Sequence, residues 1–198
     1  VSDLDDVELM SRMRLLPPER HLTHLVMLLG GVSMLAADDQ GKITQWSLQR
    51  DDKNQYALSE VRSFESGSAL VSLLPEHRRK GMAGINTKGE LLIFYTTSER
   101  KLFQEKMITG DVGRAVLSSR ADRVLVETKT GYQLLHIEND YPELSWQALW
   151  GQVMYEGYTE PQYSWQSSAA NNDFEPKFSL MPLAFGTLKA AFYAMIVA

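Results

Sequence analysis

The sequence predicts a mainly β fold, because strand-like runs and tight turns recur through its central part. Each of three glycines, Gly41, Gly89 and Gly131, follows an apolar run and precedes an alternating segment that carries a large side chain. The glycines recur about every 45 residues, a period typical of β-propeller blades with several strands each. Glycine suits such turns because they need a positive φ. The pattern predicts a WD40-like partial β-propeller of about three blades, with an open meander or sandwich as the alternative.

Residues 1–20 predict a short amphipathic helix that connects to the β domain. Apolar side chains recur there at every third position from Leu4 to Leu16, and Pro17 and Pro18 would end the helix. A helix of this kind could instead bind a partner protein.

Residues 21–150 form the predicted β-propeller-like domain. After each glycine turn, the alternating strand is followed by one more strand-like run, and these runs are YALSEVRSF, KLFQEKMI and ELSWQAL. Each blade would bury a sheet face only against its neighbours, but three blades do not close a ring. The missing blades are expected before Val1. The sheet edge that an incomplete ring exposes must then be paired, covered or charged.

Residues 151–177 have the composition of a linker, with serine, asparagine, proline and glycine prominent. Aromatic residues are interleaved with them, namely Tyr155, Tyr158, Tyr163, Trp165 and Phe174. Such rings suit the headgroup layer of a membrane. They would equally serve to pack the segment back onto the β domain, and the sequence leaves both possibilities open.

Residues 178–198 contain one charged residue, Lys189, and are otherwise apolar or small. A helix of this length, rising about 1.5 Å per residue, would cross a hydrocarbon layer of about 30 Å. The run therefore predicts the start of a transmembrane helix. Gly186, Ala190 and Ala194 would lie on one side of it, where small residues let another helix approach closely. The alternative is a buried core helix of a soluble protein.

The end of the chain also resembles a known family of transporters. The string EPKFSLMPLAFGTLKAAFYAMIVA is similar to the start of the transmembrane core in permease subunits of phosphate-type ABC importers. The matching positions are Phe178, Pro182, Leu183, Gly186 and Thr187. The longer run from Tyr163 resembles a subgroup of these permeases with a large domain inserted before that core. The resemblance covers only this last part of the chain.

This resemblance implies a membrane permease subunit of an ABC importer for phosphate, located in the bacterial inner membrane with residues 1–177 on the periplasmic side. The implied partners are a second permease subunit, ATPase subunits, a periplasmic phosphate-binding protein and membrane lipid. The alternative function is a soluble β-propeller scaffold that binds other proteins.

Composition and motifs give no indication of an enzyme. The net charge of −5 argues against a nucleic-acid partner. The chain has no cysteine, and no acid, base or nucleophile pattern converges, so we expect no catalytic residue, cofactor or metal site. The basic residues Arg78, Arg79 and Lys80 could contact an anion, although such a run is also typical of a solvated hairpin loop. Lys189 could line an anion path or simply face neighbouring helices.

Overall fold

The fold is a series of antiparallel sheets that follow one another along the chain. The computed structural model describes residues 12–50, 56–139, 141–166 and 175–197. Three sheets, here called blades 1, 2 and 3, contain four, four and three strands in chain order. Blade 1 consists of β1 (Leu22–Met27), β2 (Ser33–Asp38), β3 (Lys42–Arg50) and β4 (Tyr56–Glu65). Blade 2 consists of β5 (Leu70–Pro75), β6 (Gly81–Asn86), β7 (Glu90–Tyr95) and β8 (Arg100–Lys106). Blade 3 consists of β9 (Val112–Leu117), β10 (Arg123–Thr128) and β11 (Gly131–His136).

The first strands of the blades lie side by side, since β5 contacts both β1 and β9. The third strands, and the fourth strands where they exist, lie further out in each sheet. The chain continues beyond blade 3 through a short helix, a two-stranded ribbon and a longer helix. These elements are α1 (Trp146–Trp150), β12 (Trp165–Gln166), β13 (Lys177–Phe178) and α2 (Met181–Val197).

Blade 2 is buried on both faces because its side chains alternate between two apolar cores. Along β7, Leu92 and Phe94 enter the core shared with blade 1, whereas Leu91 and Ile93 enter the core shared with blade 3. Successive side chains of a strand point to opposite faces, so an apolar strand without alternation can fill two cores at once. Accordingly, β6 and β7 contain no exposed residue.

The two cores hold the three blades together. The core between blades 1 and 2 contains Leu28, Leu35, Ala37, Ile43, Phe64, Leu70, Leu73, Met82, Leu92 and Phe94. The core between blades 2 and 3 contains Ile85, Leu91, Ile93, Ile108, Val124, Val126 and Ile137. The rings of Phe64 and Phe94 meet across the first interface with their centroids 5.4 Å apart.

The three glycine turns that define the repeat have the positive φ that the sequence predicts. The φ angle is 95° at Gly41, 77° at Gly89 and 135° at Gly131. Gly41 also has no room for a side chain, because a Cβ atom there would lie 2.4 Å from the backbone oxygen of Ser68. A side chain at this position would have to push two turns apart.

Two of the three expected final strands are confirmed, because YALSEVRSF and KLFQEKMI form β4 and β8. The third is wrong, because the run ELSWQAL contains α1. Ser145 caps this helix by accepting a hydrogen bond from the Ala148 N–H at 2.9 Å. Ala148 is buried in a small core with Val153 and Tyr155. A side-chain cap and a buried residue at helical spacing thus favour helix over strand pairing.

The described residues of 153–179, here called the strap, lie against blades 1 and 2. Tyr155 is buried, and the Tyr158 ring packs beside it with centroids 5.8 Å apart. Gln49 of β3 donates a hydrogen bond to the Tyr158 carbonyl at 2.8 Å. These two rings therefore pack back onto the β domain, which was the second of the two possibilities. Phe174 lies outside the described residues.

A buried polar network fastens the strap. Lys80 of blade 2 forms an ion pair with Glu156 of the strap, and both side chains are almost fully buried. Glu175 accepts hydrogen bonds from Thr97 Oγ1 at 2.6 Å and from the Glu156 N–H at 2.9 Å. Arg62 of blade 1 donates to backbone carbonyls of blade 2 and of the strap. Buried charges need such partners, since desolvation without them is costly.

The N-terminal segment shows no helix where it is described. Residues 12–20 contain only turns and irregular backbone, and the rest of the predicted helix lies outside the described residues. Arg20 ties this segment to blade 1 through an ion pair with Asp38 at 2.6 Å. Burial alone would raise the pKa of Asp38, but hydrogen bonds from Arg20 and from two backbone N–H groups lower it.

The predicted transmembrane helix is wrong. Lys177 and Phe178 pair with β12, so the helical part of the C-terminal run begins only at Met181. Among the residues that the structure describes, no helix is long and apolar enough to cross a membrane.

Replacing Gly41 with alanine should destabilise the protein more than the same change at Gly110. Both glycines have a similar positive φ, but a Cβ at Gly110 would meet nothing within 4 Å. The backbone conformation should cost about 1 to 3 kcal/mol at each site. The contact with Ser68 should add about 1 to 3 kcal/mol at Gly41 alone. Chemical denaturation of the two variants measures the difference, and equal losses would show that the close approach imposes no constraint.

The strap should loosen as the pH rises, because burial raises the pKa of the Glu175 carboxyl. The folded state then keeps a proton that the unfolded chain releases near pH 4.5. The resulting stability is present below that pH and is lost as the pH rises through the raised pKa. Glu175→Gln should therefore flatten the decline in unfolding free energy with pH.

Thr97→Val provides the opposite change for this experiment. It removes a hydrogen bond that lowers the pKa of Glu175. The unfolding free energy of this variant should therefore decline more steeply as the pH rises. Denaturation curves between pH 4 and 8 compare the three proteins. Parallel curves for all three would contradict a role for Glu175 in the pH response.

Candidate functional site: the open third blade

Within the described residues, blade 3 has no counterpart of the outer strand that completes the other two blades. In blades 1 and 2 the third strand is paired on both sides, whereas β11 is paired only with β10. No other described residue forms a backbone ladder with β11. One edge of this strand, here called the free edge, therefore has no backbone partner in the described part of the chain.

The register identifies the backbone groups that face the free edge. The Ile137 N–H donates to the Asp122 carbonyl at 2.7 Å, in line with the ladder between β10 and β11. Hydrogen-bonded pairs alternate along an antiparallel ladder, so Gln133 and Leu135 also point their N–H and C=O groups towards β10. The corresponding groups of Tyr132, Leu134 and His136 point outwards. They form a template on which another strand can pair.

The chain leaves β11 in a direction that keeps this edge clear. Three side chains of blade 2 hold the following segment by its backbone carbonyls. Arg79 donates to Asn139 at 3.1 Å, Ser98 to Pro142 at 3.0 Å and Arg100 to Leu144 at 2.8 Å. Residue 139 and residues 141–144 therefore lie across the end of blade 2 and not along β11.

The face of blade 3 that points away from blade 2 carries an exposed apolar row. Val116, Leu125 and Leu134 are direct partners on three adjacent strands. Their residues are 58%, 39% and 65% exposed, respectively. The alternate residues of β10, Val124 and Val126, are buried in the core with blade 2. The row therefore belongs to a sheet face that the described part of the chain does not cover.

Polar side chains flank this row on both sides. On one side of the row, Arg123 of β10 and His136 of β11 lie directly opposite each other on neighbouring strands. On the other side, Arg114 and Glu127 form an ion pair at 3.2 Å, and Tyr132 lies opposite Glu127 on the neighbouring strand. An apolar centre with a polar rim is the usual anatomy of a protein-protein interface.

An apolar cleft of about 300 Å³ lies between β11 and the outer strand of blade 2. Its walls include Leu102 and Phe103 on β8, Met107 just beyond it, and Leu134 and Leu135 on β11. This is the space beside the free edge, where side chains of an outer strand of blade 3 would pack.

A second cleft, of about 530 Å³, lies beyond the end of β11. Its charged walls are three arginines, Arg78, Arg79 and Arg120, and two carboxylates, Asp122 and Glu138. Arg79 is engaged by Glu76 at 2.9 Å, and burial raises the pKa of that carboxyl. Arg78 and Arg120 are exposed and form no hydrogen bond or ion pair with the described residues. Two of the expected anion contacts, Arg78 and Arg79, thus meet in this cleft. Lys80 does not, because it is buried against Glu156.

The residues that the sequence singled out on α2 lie on an exposed helix. Gly186, Ala190 and Ala194 are spaced by four residues, and a Cβ at Gly186 would meet no other atom within 4 Å. Lys189 lies over the ring of Tyr193, 5.9 Å from its centroid. Every described side chain of α2 is exposed. The helix contact and the anion contact expected on α2 therefore stay predictions.

Sequence reasoning missed the apolar row and the position of the free edge. The polarity of the strands carried a signal, since β7 reads ELLIFY but β10 reads RVLVET, with charges at both ends of a short apolar run. Nowhere in the described ranges do three His, Asp or Glu side chains come together in a way that could hold a metal ion.

Comparison with solved structures identifies the fold. The chain is similar to a chain in the crystal structure of a mitotic checkpoint complex, with a TM-score of 0.50 and 8% identity over 65% of this chain and 39% of the other. It is also similar to the β-propeller domain of Cps50 (Swd1) from Myceliophteria thermophila, with a TM-score of 0.51 and 10% identity over 59% of this chain and 38% of that domain. No family model and no curated protein matches the chain.

These likenesses show a WD40-type β-propeller fold, as the sequence predicts, and at such low identity they show the fold alone. The chain spans less than two fifths of the length of each of the two solved chains. The structure correspondingly contains a partial propeller of three blades within the described residues.

The resemblance to phosphate-type ABC permeases is overturned. The similar solved structures are β-propellers, no family model supports a permease, and no described helix could cross a membrane. The permease function, phosphate transport and the inner-membrane and periplasmic location are therefore wrong. So are the implied partners, which were a second permease subunit, ATPase subunits, a phosphate-binding protein and membrane lipid. The residues behind the resemblance form β13 and the start of an exposed helix.

The free edge predicts an alternating pattern of amide exchange along β11. The N–H groups of Gln133 and Leu135 should exchange slowly, because they bond to β10, whereas those of Tyr132 and Leu134 should exchange at least about tenfold faster. Hydrogen exchange measured by NMR on the isolated chain resolves these amides one by one. Slow exchange at all four would mean that part of the chain itself covers the edge.

Proposed function

We propose that this chain is a non-enzymatic protein-interaction scaffold whose open third blade binds another protein. The observation that supports this most is the apolar row of Val116, Leu125 and Leu134, which crosses the whole width of the sheet and is exposed. Contiguous exposed apolar surface with a polar rim is characteristic of interaction sites.

The geometry of the blades supports a partner that is itself β-structured. Blades 1 and 2, and blades 2 and 3, pack face to face through apolar side chains of their sheets. The open face of blade 3 has the same composition at its centre as these buried faces. A sheet from another protein could pack on it as blade 2 packs on the opposite face.

Assembly with other proteins is a role compatible with this fold. One of the similar solved chains belongs to the crystal structure of a mitotic checkpoint complex. The fold alone does not assign a function. The proposal therefore depends on the surface of blade 3 and not on that likeness.

Leu125→Glu should weaken partner binding at least about tenfold, because it places a charge at the centre of the apolar row. The partner is first captured by a photo-reactive amino acid at Val116 of the full protein in its native cells. Binding of the purified partner to each variant is then measured by titration. Leu48→Glu is the matched control, since Leu48 is 38% exposed on blade 1 and lies outside the row.

Both variants should keep the melting temperature of the parent within a few degrees, because each replaces a partly exposed side chain. The control should bind the partner as the parent does. Equal binding by the Leu125 and Leu48 variants would contradict the proposal, as would cross-links from Val116 that reach only the protein's own polypeptide.

A further inference from the structure

We propose that blade 3 takes up an extended segment of its partner as an outer strand, antiparallel to β11, with acidic residues at the segment's N-terminal end. This inference rests on the proposed function, because it names how that partner binds. It depends on the free edge of β11 and on the two clefts beside it.

The other blades show where the guest strand would lie. In blades 1 and 2 the outer strand runs antiparallel to the third strand and directly follows it in the sheet. The equivalent position in blade 3 is empty of described residues. A guest strand there would pair with the outward N–H and C=O groups of Tyr132, Leu134 and His136. Six backbone groups would then gain partners without any change in the sheet.

The apolar cleft determines the side chains of the guest. A residue opposite Leu135 would direct its side chain to the blade 2 side, into the cleft with Leu102, Phe103 and Met107. The next residue, opposite Leu134, would lie on the open face and extend the row of Val116 and Leu125. The guest therefore needs two consecutive apolar residues at its centre.

The arginine cleft determines the charge of the guest. An antiparallel guest begins beside His136, which lines both clefts, as does the carboxylate of Glu138. Arg78 is available there. The nearby Asp122 accepts a hydrogen bond from Ser118 at 2.6 Å, and this bond, together with the charges of Arg123 and Arg120, lowers the pKa of its carboxyl, so Arg120 is partly offset. Carboxylates at the start of the guest would meet these guanidinium groups.

The test uses a seven-residue peptide, as long as β8, that begins with two aspartates and carries consecutive leucine and phenylalanine at its centre. Binding to the chain is measured by fluorescence anisotropy, and the contact by amide exchange along β11. We expect saturable binding that slows exchange at Tyr132 and Leu134. No binding at millimolar concentration would overturn the proposal.

Backbone methylation separates strand pairing from simple apolar contact. Methyl groups on the peptide nitrogens that face β11 should weaken binding at least about tenfold, because each removes a ladder hydrogen bond. Methyl groups on the alternate nitrogens keep the same side chains and should change binding by less than about threefold. Equal affinity of the two methylated peptides would overturn the proposed pairing.

The charge requirement is tested by Arg78→Glu combined with Arg120→Glu. The combined variant should bind the acidic peptide several times more weakly and should prefer a peptide that begins with two lysines. If the combined variant binds both peptides as the parent does, the proposed requirement for acidic residues at the N-terminal end of the segment is wrong.

The failure of this inference is distinguishable from failure of the proposed function. A natural partner whose binding depends on Leu125, but which leaves exchange at Tyr132 and Leu134 fast, would retain the scaffold function and overturn strand addition. A partner that is insensitive to Leu125→Glu would contradict the proposed function itself.

Discussion

The two-sided burial of blade 2 is the constraint on which the rest of the structure depends. Its two central strands send alternate side chains into two separate cores, so blade 2 is stable only with a sheet on each side. Blades 1 and 3 supply those sheets. Each is left with a second face that no other blade in the described structure covers, and the face of blade 3 carries the apolar row of Val116, Leu125 and Leu134.

The strap adds a different kind of constraint, based on buried charge. Lys80 and Glu156 join blade 2 to the strap, and Glu175 accepts two hydrogen bonds in the same region. Such a network is costly unless every member is paired, so it fixes where the strap lies. It also keeps the strap on blades 1 and 2, away from the open face. The described part of the strap therefore leaves the proposed interaction surface of blade 3 uncovered.

The architecture could be predicted from the sequence because it depends on local turn chemistry. The glycines at 41, 89 and 131 are needed for positive φ, and that need shows in a single sequence. The missing outer strand could not be predicted so easily. The run ELSWQAL has strand-like composition, but Ser145 caps a helix there and Ala148 is buried by residues that come later in the chain. The local sequence favours helix and strand about equally in this run, and long-range packing selects the helix.

The prediction for the C-terminal run was wrong for a related reason. Composition and length suggested a continuous helix from Phe178, but pairing of Phe178 with Trp165 keeps the first residues of the run in a strand. A contact between segments distant in sequence shortened the helix, and composition cannot show it. The position of the candidate site was hidden in the same way, since the arginines and the β11 edge meet only through the packing of blade 3 on blade 2.

Hydroxyl-radical footprinting tests most directly whether the open face of blade 3 is a binding surface. The measurement compares oxidation of Leu125 and Leu134 in the isolated chain with oxidation in the protein assembled in native cell extract, and Leu48 is the internal reference. We predict strong oxidation of both leucines in the isolated chain and a marked loss on assembly, with Leu48 unchanged. Equal oxidation of Leu125 and Leu134 in the two states would contradict a binding role for this face.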